Sequence, residues 1–343
     1  MNIARGWVAR SLILFLAALV VGIILKEVVA PRIVRRRLIS IVHDSCKTCE
    51  LSLSRVHVSL LPLALSSSRV RFTGGTPNAT VVHAEAERVY VPFAFFPLLT
   101  SRFHAGRIEI EQPVIKISEG DLYVSSSTDD SSARPLELEI EGIKVKNGSF
   151  TYIREHPVRK GTLNVSRINV AMGSVGSSDR LRDTYVEATA DGLLEESGQF
   201  HLQVRAKVFA KIPDANVKLQ ISGQDLATLN PFFRPNDGVQ LKGMLINAQS
   251  VVVIRGSRLN SSAYVRFRRL SVKIKKTDER SALSAFFQTL MASITMGKQN
   301  IDGGNYDSQG TVDLERKHKE TIISFTLRGM KEAAMKVASQ GGK

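Results

Sequence analysis

Cys46 and Cys49 are the two cysteines of the chain, and they stand in the run Cys46-Lys47-Thr48-Cys49. Thiols at this spacing fit three chemistries: a dithiol redox pair, half of a zinc site, or a local disulfide. Attachment of a c-type haem needs histidine directly after the second cysteine, and Glu50 stands there instead. A thioredoxin-like pair needs a βαβ setting and a helix opening at the first cysteine, and the surrounding pattern offers neither. His43 and His57 are close enough in sequence to keep zinc open. Outside the cytoplasm a structural disulfide between Cys46 and Cys49 is the expectation. The remaining histidines, His83, His104, His156, His201 and His318, are scattered without ligand spacing.

No other group of residues forms a catalytic constellation. The run GSVGSS at 173–178 lacks the G-x-S-x-G order of a nucleophile elbow. No phosphate-loop lysine follows Gly74-Gly75 or Gly303-Gly304. Glu137, Glu139 and Glu141 alternate along one strand and make a solvated row, not an acid–base pair. We expect a non-enzymatic protein without a cofactor.

The formal net charge is +15, with 47 basic and 32 acidic residues. Much of the excess lies in residues 1–37 and 255–276, and the second stretch holds no acid. There Arg266 and Arg268, then Lys273 and Lys275, recur at period two. They predict a positive stripe suited to anionic headgroups, lipopolysaccharide or an acidic partner, or else a plain solvated face. No aromatic stacking platform accompanies the charge, which argues against nucleic acid.

The first basic cluster flanks an uncharged run from Ser11 to Leu25, between Arg10 and Lys26. Extended through Trp7 and Ala30, with Arg10 and Lys26 snorkelling, the run suffices for one membrane span. Residues 1–30 are therefore expected to be an uncleaved anchor. The rival is a signal peptide cut after Val28-Val29-Ala30, and Pro31 opposes it. Topology carries a conflict. Lys26, Arg32 and Arg35–Arg37 follow the helix against Arg5 and Arg10 before it, so the positive-inside count points the body into the cytoplasm. The short N-terminal tail and the β-rich, enzyme-free body point it outward.

Residues 31–45 read as a basic juxtamembrane helix. From about residue 50 the hydrophobic period becomes two. Val56, Val58 and Leu60 alternate with Arg55, His57 and Ser59, and the same holds for Ile108 and Ile110 and for Leu136, Leu138 and Ile140. Later runs are Leu202, Val204, Ala206 and Val208; Val217, Leu219 and Ile221; Leu270, Val272 and Ile274; and Ile323, Phe325 and Leu327. Helical spacing returns at 280–296 and from Met330 to Ala338. The Ser/Asp/Pro run at 125–135 predicts a linker between an N-terminal β unit (46–124) and a C-terminal one (136–328), followed by a helical tail (329–343).

The order of parts in SLLPLALSSSRVRF (59–72), HAEAERVYVPFAFFPLLTSRF (83–103) and GRIEIEQPVIKI (106–117) resembles the bacterial AsmA-like family, in its short members. Pro62, Val89, Val91, Pro97, Leu98, Leu99, Ile108, Ile110, Pro113, Ile115 and Ile117 fall on the family pattern. GQDLATLNPFF (223–233) followed by VQLKGML (239–245) looks like its later repeat. The likeness covers about 200 of 343 residues and is a pattern of hydrophobicity and turns. It implies a mainly β chain: an N-terminal transmembrane helix, then an elongated twisted antiparallel β-sheet or groove with a few short covering helices. It also implies a single pass through the bacterial inner membrane, with the body in the periplasm. Larger relatives are thought to carry phospholipid towards the outer membrane.

A conduit of this kind needs alternate strand positions facing a common interior. Ile108, Ile110, Ile115, Ile117, Leu138, Ile140, Val204, Val217, Leu219 and Ile221 are its candidate lining. Its partner would be phospholipid or another anionic envelope lipid. The alternative is a non-enzymatic scaffold or assembly factor whose β edges, or helix 280–296, bind other envelope proteins.

Overall fold

The computed structural model describes residues 30–46, 48–60, 62–75, 81–94, 102–119, 137–156, 159–210, 212–274, 309–317 and 320–340. The anchor expected over 1–30 (all but Ala30), the linker at 125–135 and the helix at 280–296 lie outside them. Among the described residues no helix is long and apolar enough to cross a membrane.

Helix α1 (Ala30–Ser45) leads into β1 (Glu50–Leu60), as the juxtamembrane pattern predicts. There follow β2 (Leu63–Gly74), β3 (Val81–Pro92), β4 (Arg102–Glu111), β5 (Val114–Glu119), β6 (Glu137–His156) and β7 (Arg159–Met172). A two-residue β8 (Val175–Gly176) and a single turn α2 (Asp179–Arg182) precede β9 (Val186–Leu194), β10 (Gly198–Ala206) and β11 (Asp214–Asp225). A 3₁₀ turn (Leu226–Leu229) and α3 (Asn230–Asp237) come before β12 (Val239–Arg255), β13 (Arg258–Ile274), β14 (Gln309–Glu315) and α4 (Ile322–Gln340). All the strands belong to one sheet, in the order β1-β2-β3-β4-β6-β7-β9-β10-β11-β12-β13-β14, with β5 between β3 and β6 and β8 beside β6.

The mainly β character holds, and three details differ from the sequence reading. The sheet is mixed, because β6 runs parallel to both β4 and β5. The chain must pass from the end of β5 to the start of β6 to make that ladder, as parallel neighbours require. Second, Ile323, Phe325 and Leu327 are helical. The alternation is overridden by a 3.6-residue face of Ile322, Phe325, Met330, Ala333 and Val337, which packs on the sheet while Ile323 and Leu327 stand exposed. Thr321 Oγ1 accepts from Ser324 N–H at 3.1 Å and starts this helix. Third, β10 stops at Ala206, and Val208 is 56% exposed in the loop beyond.

The strands shift their alternation along one line. Arg69 in β2, Gln112 between β4 and β5, Asn147 in β6 and Arg167 in β7 have φ of 53°, 48°, 51° and 52°. Regular pairing skips these positions and resumes beyond them. At Asn147 and Arg167 the register itself shifts, as at a bulge that moves the next side chains to the other side. At Arg69 and Gln112, by contrast, pairing resumes in the same register. Since β6 and β7 shift together, Ile143 and Val145 before the line stay on one face with Phe150 and Tyr152 after it. Gly223, Gly243 and Arg269, with φ of 67°, 115° and 53°, form a second line across β11–β13.

Candidate functional site

Cross-strand pairing turns the alternating residues into rungs that cross the whole sheet. One rung reads Val56, Ser67, Val89, Ile110, Val145, Val170, Ala190, Leu202, Leu219, Ser250, Ala263 and Gly310. The next reads Ile108, Ile143, Met172, Ala188, Val204, Val217, Val252, Ser261 and Val312. The opposite face, one residue along, carries His57, Ser66, Tyr90, Glu109, Lys144, Ala171, Thr189, Gln203, Lys218, Val251, Ser262 and Thr311. No position of these first two rungs is charged. The second face mixes carboxylates, amines and hydroxyls.

Two helices cover parts of the apolar face. Helix α4 seals β12–β14, where Val252, Ile254, Leu259 and Phe325 are fully or almost fully buried. Gly310 makes this seat: a Cβ there would come within 2.4 Å of the Ala333 carbonyl oxygen. Helix α3 closes one end, with Phe233 on the buried cluster of Val239, Leu241, Leu270 and Val272, and Phe232 against Tyr152 at 5.8 Å between ring centroids. Between them, Val89, Ile110, Val145, Val170, Leu202 and Leu219 are only partly covered.

Eight of the ten candidate lining residues fall on these rungs or their continuations. Ile115 and Ile117 lie past the first line of bulges, paired with Phe150 and Tyr152, and Ile221 lies between Phe200 and Ala248. Leu138 and Ile140 lie apart, at the other end of β6. Leu138 pairs with Phe103, and Ile140 with Ala105 and Val175, both buried. Val145, Val170 and Ala190 complete the main rung and are absent from the sequence-based set. The signal for them was the alternation of β6, β7 and β9.

Of the basic stripe, Arg268 and Lys273 are exposed and Arg266 is half-buried, while Lys275 lies outside the described residues. Arg266, Arg268 and Lys273 share the face opposite Leu270 and Val272.

Cys46 and Cys49 are joined as a disulfide, which occupies both sulfurs that zinc or dithiol chemistry would need. It sits between α1 and β1. Among the described residues no group of three or more histidine, cysteine, aspartate or glutamate side chains could hold a metal.

The charged contacts are structural in kind. Glu320 accepts from Arg328 Nε at 2.8 Å, and this bond holds its carboxyl down at about 2. The Lys146 amine donates to Glu109 at 2.9 Å, lowering that carboxyl and raising the lysine. Tyr185 donates to Asp214 at 2.7 Å, which pushes its phenol up. His104 lies 3.3 Å from Glu141 and 3.7 Å from Glu139, and Arg180 also bonds Glu139. Asp214 also lines an open hollow with Arg182, Asp183, Lys207 and Arg255.

The sequence matches no protein-family model and no curated protein.

Proposed function

We propose that this chain is a non-enzymatic cell-envelope protein, anchored in a bacterial inner membrane with its body in the periplasm. There it binds or transfers phospholipid along the apolar face of its sheet. The observation that carries this reading is the uncharged rung from β1 to β14, apolar and half-exposed from Val89 in β3 to Leu219 in β11 and sealed by helices at two places. A soluble fold normally buries such a face under a second layer. Here the described helices cover it at its margins and leave a trough between.

The energetics favour an acyl chain in that trough. Each buried CH₂ contributes about 0.8 kcal/mol. Ten methylenes against the rungs therefore supply about 8 kcal/mol, the scale of a micromolar complex before ordering costs. The headgroup stays at the wet margin, where the strands end. Supporting the anchor are the uncharged run between Arg10 and Lys26 and the exposed Arg32, Arg35 and Arg36 on α1, placed to meet lipid headgroups. The AsmA-like resemblance supports the compartment. Twelve strands at about 4.8 Å spacing span about 53 Å, so a longer bridge would need further copies or partners.

The full chain should be purified in detergent free of phospholipid, extracted, and its lipid content measured by mass spectrometry. Phospholipid at a fixed ratio to protein is the expected result. A stoichiometric protein partner with no bound lipid would instead assign the chain as an assembly factor.

A further inference from the structure

The outer face of β12 and β13, opposite the trough, gathers Lys242, Arg266, Arg268, Arg269 and Lys273 around Met244. The register fixes this grouping: Met244 pairs with Arg268, Lys242 with Ser271, and Gln240 with Lys273. The second line of bulges tightens it. Gly243 holds φ at 115° opposite Arg269 at φ 53°, and a Cβ on Gly243 would lie 2.6 Å from the Arg269 carbonyl oxygen. This close approach lets two residues of β13 oppose one of β12, so Arg268 and Arg269 both emerge at the same place.

Neither strand contains an acid. The nearest by register is Asp225, paired with Met244, and its carboxylate caps the 3₁₀ turn by accepting from Ala227 N–H at 2.9 Å. Met244 is 42% exposed amid the cations. An exposed thioether ringed by amines and guanidinium groups, on the outside of a sheet, matches an interface that is anionic at its surface and apolar beneath. Acidic protein surfaces answer the charge but give Met244 nothing to enter.

We propose that this patch docks the sheet onto an anionic bilayer surface, with Met244 entering the headgroup layer and the cations meeting lipid phosphates. It lies ten strand steps from β1, about 48 Å along the sheet from the edge that adjoins α1. This inference does not require lipid in the trough, and it can stand or fall separately.

The test uses the full chain in nanodiscs of phosphatidylcholine, with Trp7→Phe and Met244→Trp making residue 244 the sole tryptophan. Vesicles of brominated phosphatidylcholine, alone or with an equal part of phosphatidylglycerol, are then added. Quenching by the mixed vesicles alone is expected, and it should vanish near 1 M salt, where the screening length falls to about 3 Å. Arg268→Gln and Lys273→Gln should each weaken vesicle binding about fivefold, with the melting temperature unchanged.

No quenching, or equal quenching by neutral vesicles, would overturn the proposal. So would a drop in melting temperature on Arg268→Gln, which would place that cation within the packed fold. Binding of polyglutamate without vesicle binding would hand the patch to a protein partner. Should Met244→Trp prevent folding, Ser271→Trp on the same exposed face reports in its place and is read in the same way.

Discussion

Leu219→Glu and Val252→Glu place the same carboxylate on adjacent strands of one apolar face, under different cover. Val252 is fully buried beneath α4 and packs with Ile254, Leu259 and Phe325. A carboxyl there has no partner and no route to water, so it must take up a proton on folding. Raising its pKa by about three units costs about 4 kcal/mol at neutral pH. For a chain of this size the melting temperature should fall by about 8–16 °C.

Leu219 sits on the main rung between Leu202 and Ser250 and is only partly covered. Its carboxylate can turn into the open trough, so the cost is lost apolar contact, about 1–2 kcal/mol, and a fall of about 2–8 °C. Bound phospholipid should nevertheless drop about tenfold, because displacing two methylenes from the rung removes about 1.6 kcal/mol. Differential scanning calorimetry and lipid mass spectrometry on the same preparations read both quantities. If Leu219→Glu melts the chain as deeply as Val252→Glu, and wild type carries no lipid, the face is a closed core and the trough does not exist.

Three further outcomes are expected. Cys46→Ser with Cys49→Ser should lower stability by about 2 kcal/mol or less, since the ring closed is short, and wild-type thiols should resist alkylation until reduced. Glu320, with its carboxyl held down at about 2 from an ordinary 4.5, stabilises the fold above about pH 4.5. That contribution is lost as pH falls from 4.5 towards 2, so an acid melting series should show a step that Glu320→Gln abolishes, along with about 2 kcal/mol at neutral pH. At the first line of bulges, Asn147→Gly and Arg167→Gly should be neutral or stabilising by up to about 1 kcal/mol, whereas Asn147→Val should destabilise. Urea midpoints compare them, and equal effects of glycine and valine would refute the left-handed geometry.

Much of the sheet was legible because period two survives in each strand separately. Val204, Val217, Leu219 and Ile221 fall where their alternation put them, and so do Ile108 and Ile110. The lines of bulges were hidden for a physical reason. Gln112, Arg69 and Arg167 carry none of the glycine signal that marks positive φ, and of the first line only Asn147 is a residue type at ease there. A shift of alternation within one strand looks like two shorter strands, which is how β6 escaped notice as a single run from Glu137 to His156.

Helix α4 was half legible. Its later turns show helical spacing from Met330, but Ile322 and Ile323 are β-branched and Ile323, Phe325 and Leu327 alternate, so local pattern favoured a strand until packing on Leu259 decided otherwise. The parallel ladder between β6 and its partners depends on contacts across the run at 125–135, and no local pattern encodes it.

From β9 to β14 each strand pairs antiparallel with the next in sequence, and the rungs continue through every one. A sheet wired this way can change length by whole hairpins. Duplicating a hairpin such as β10–β11 would add two positions to every rung and about 10 Å to the face, without rerouting any connection. Inserting a single strand would reverse the direction of all that follow. The unit of variation in this architecture is therefore even-numbered, and chains built on the same plan should differ in strand count by twos on the β9–β14 side. The parallel junction at β6 stays as the fixed reference from which the added length is counted.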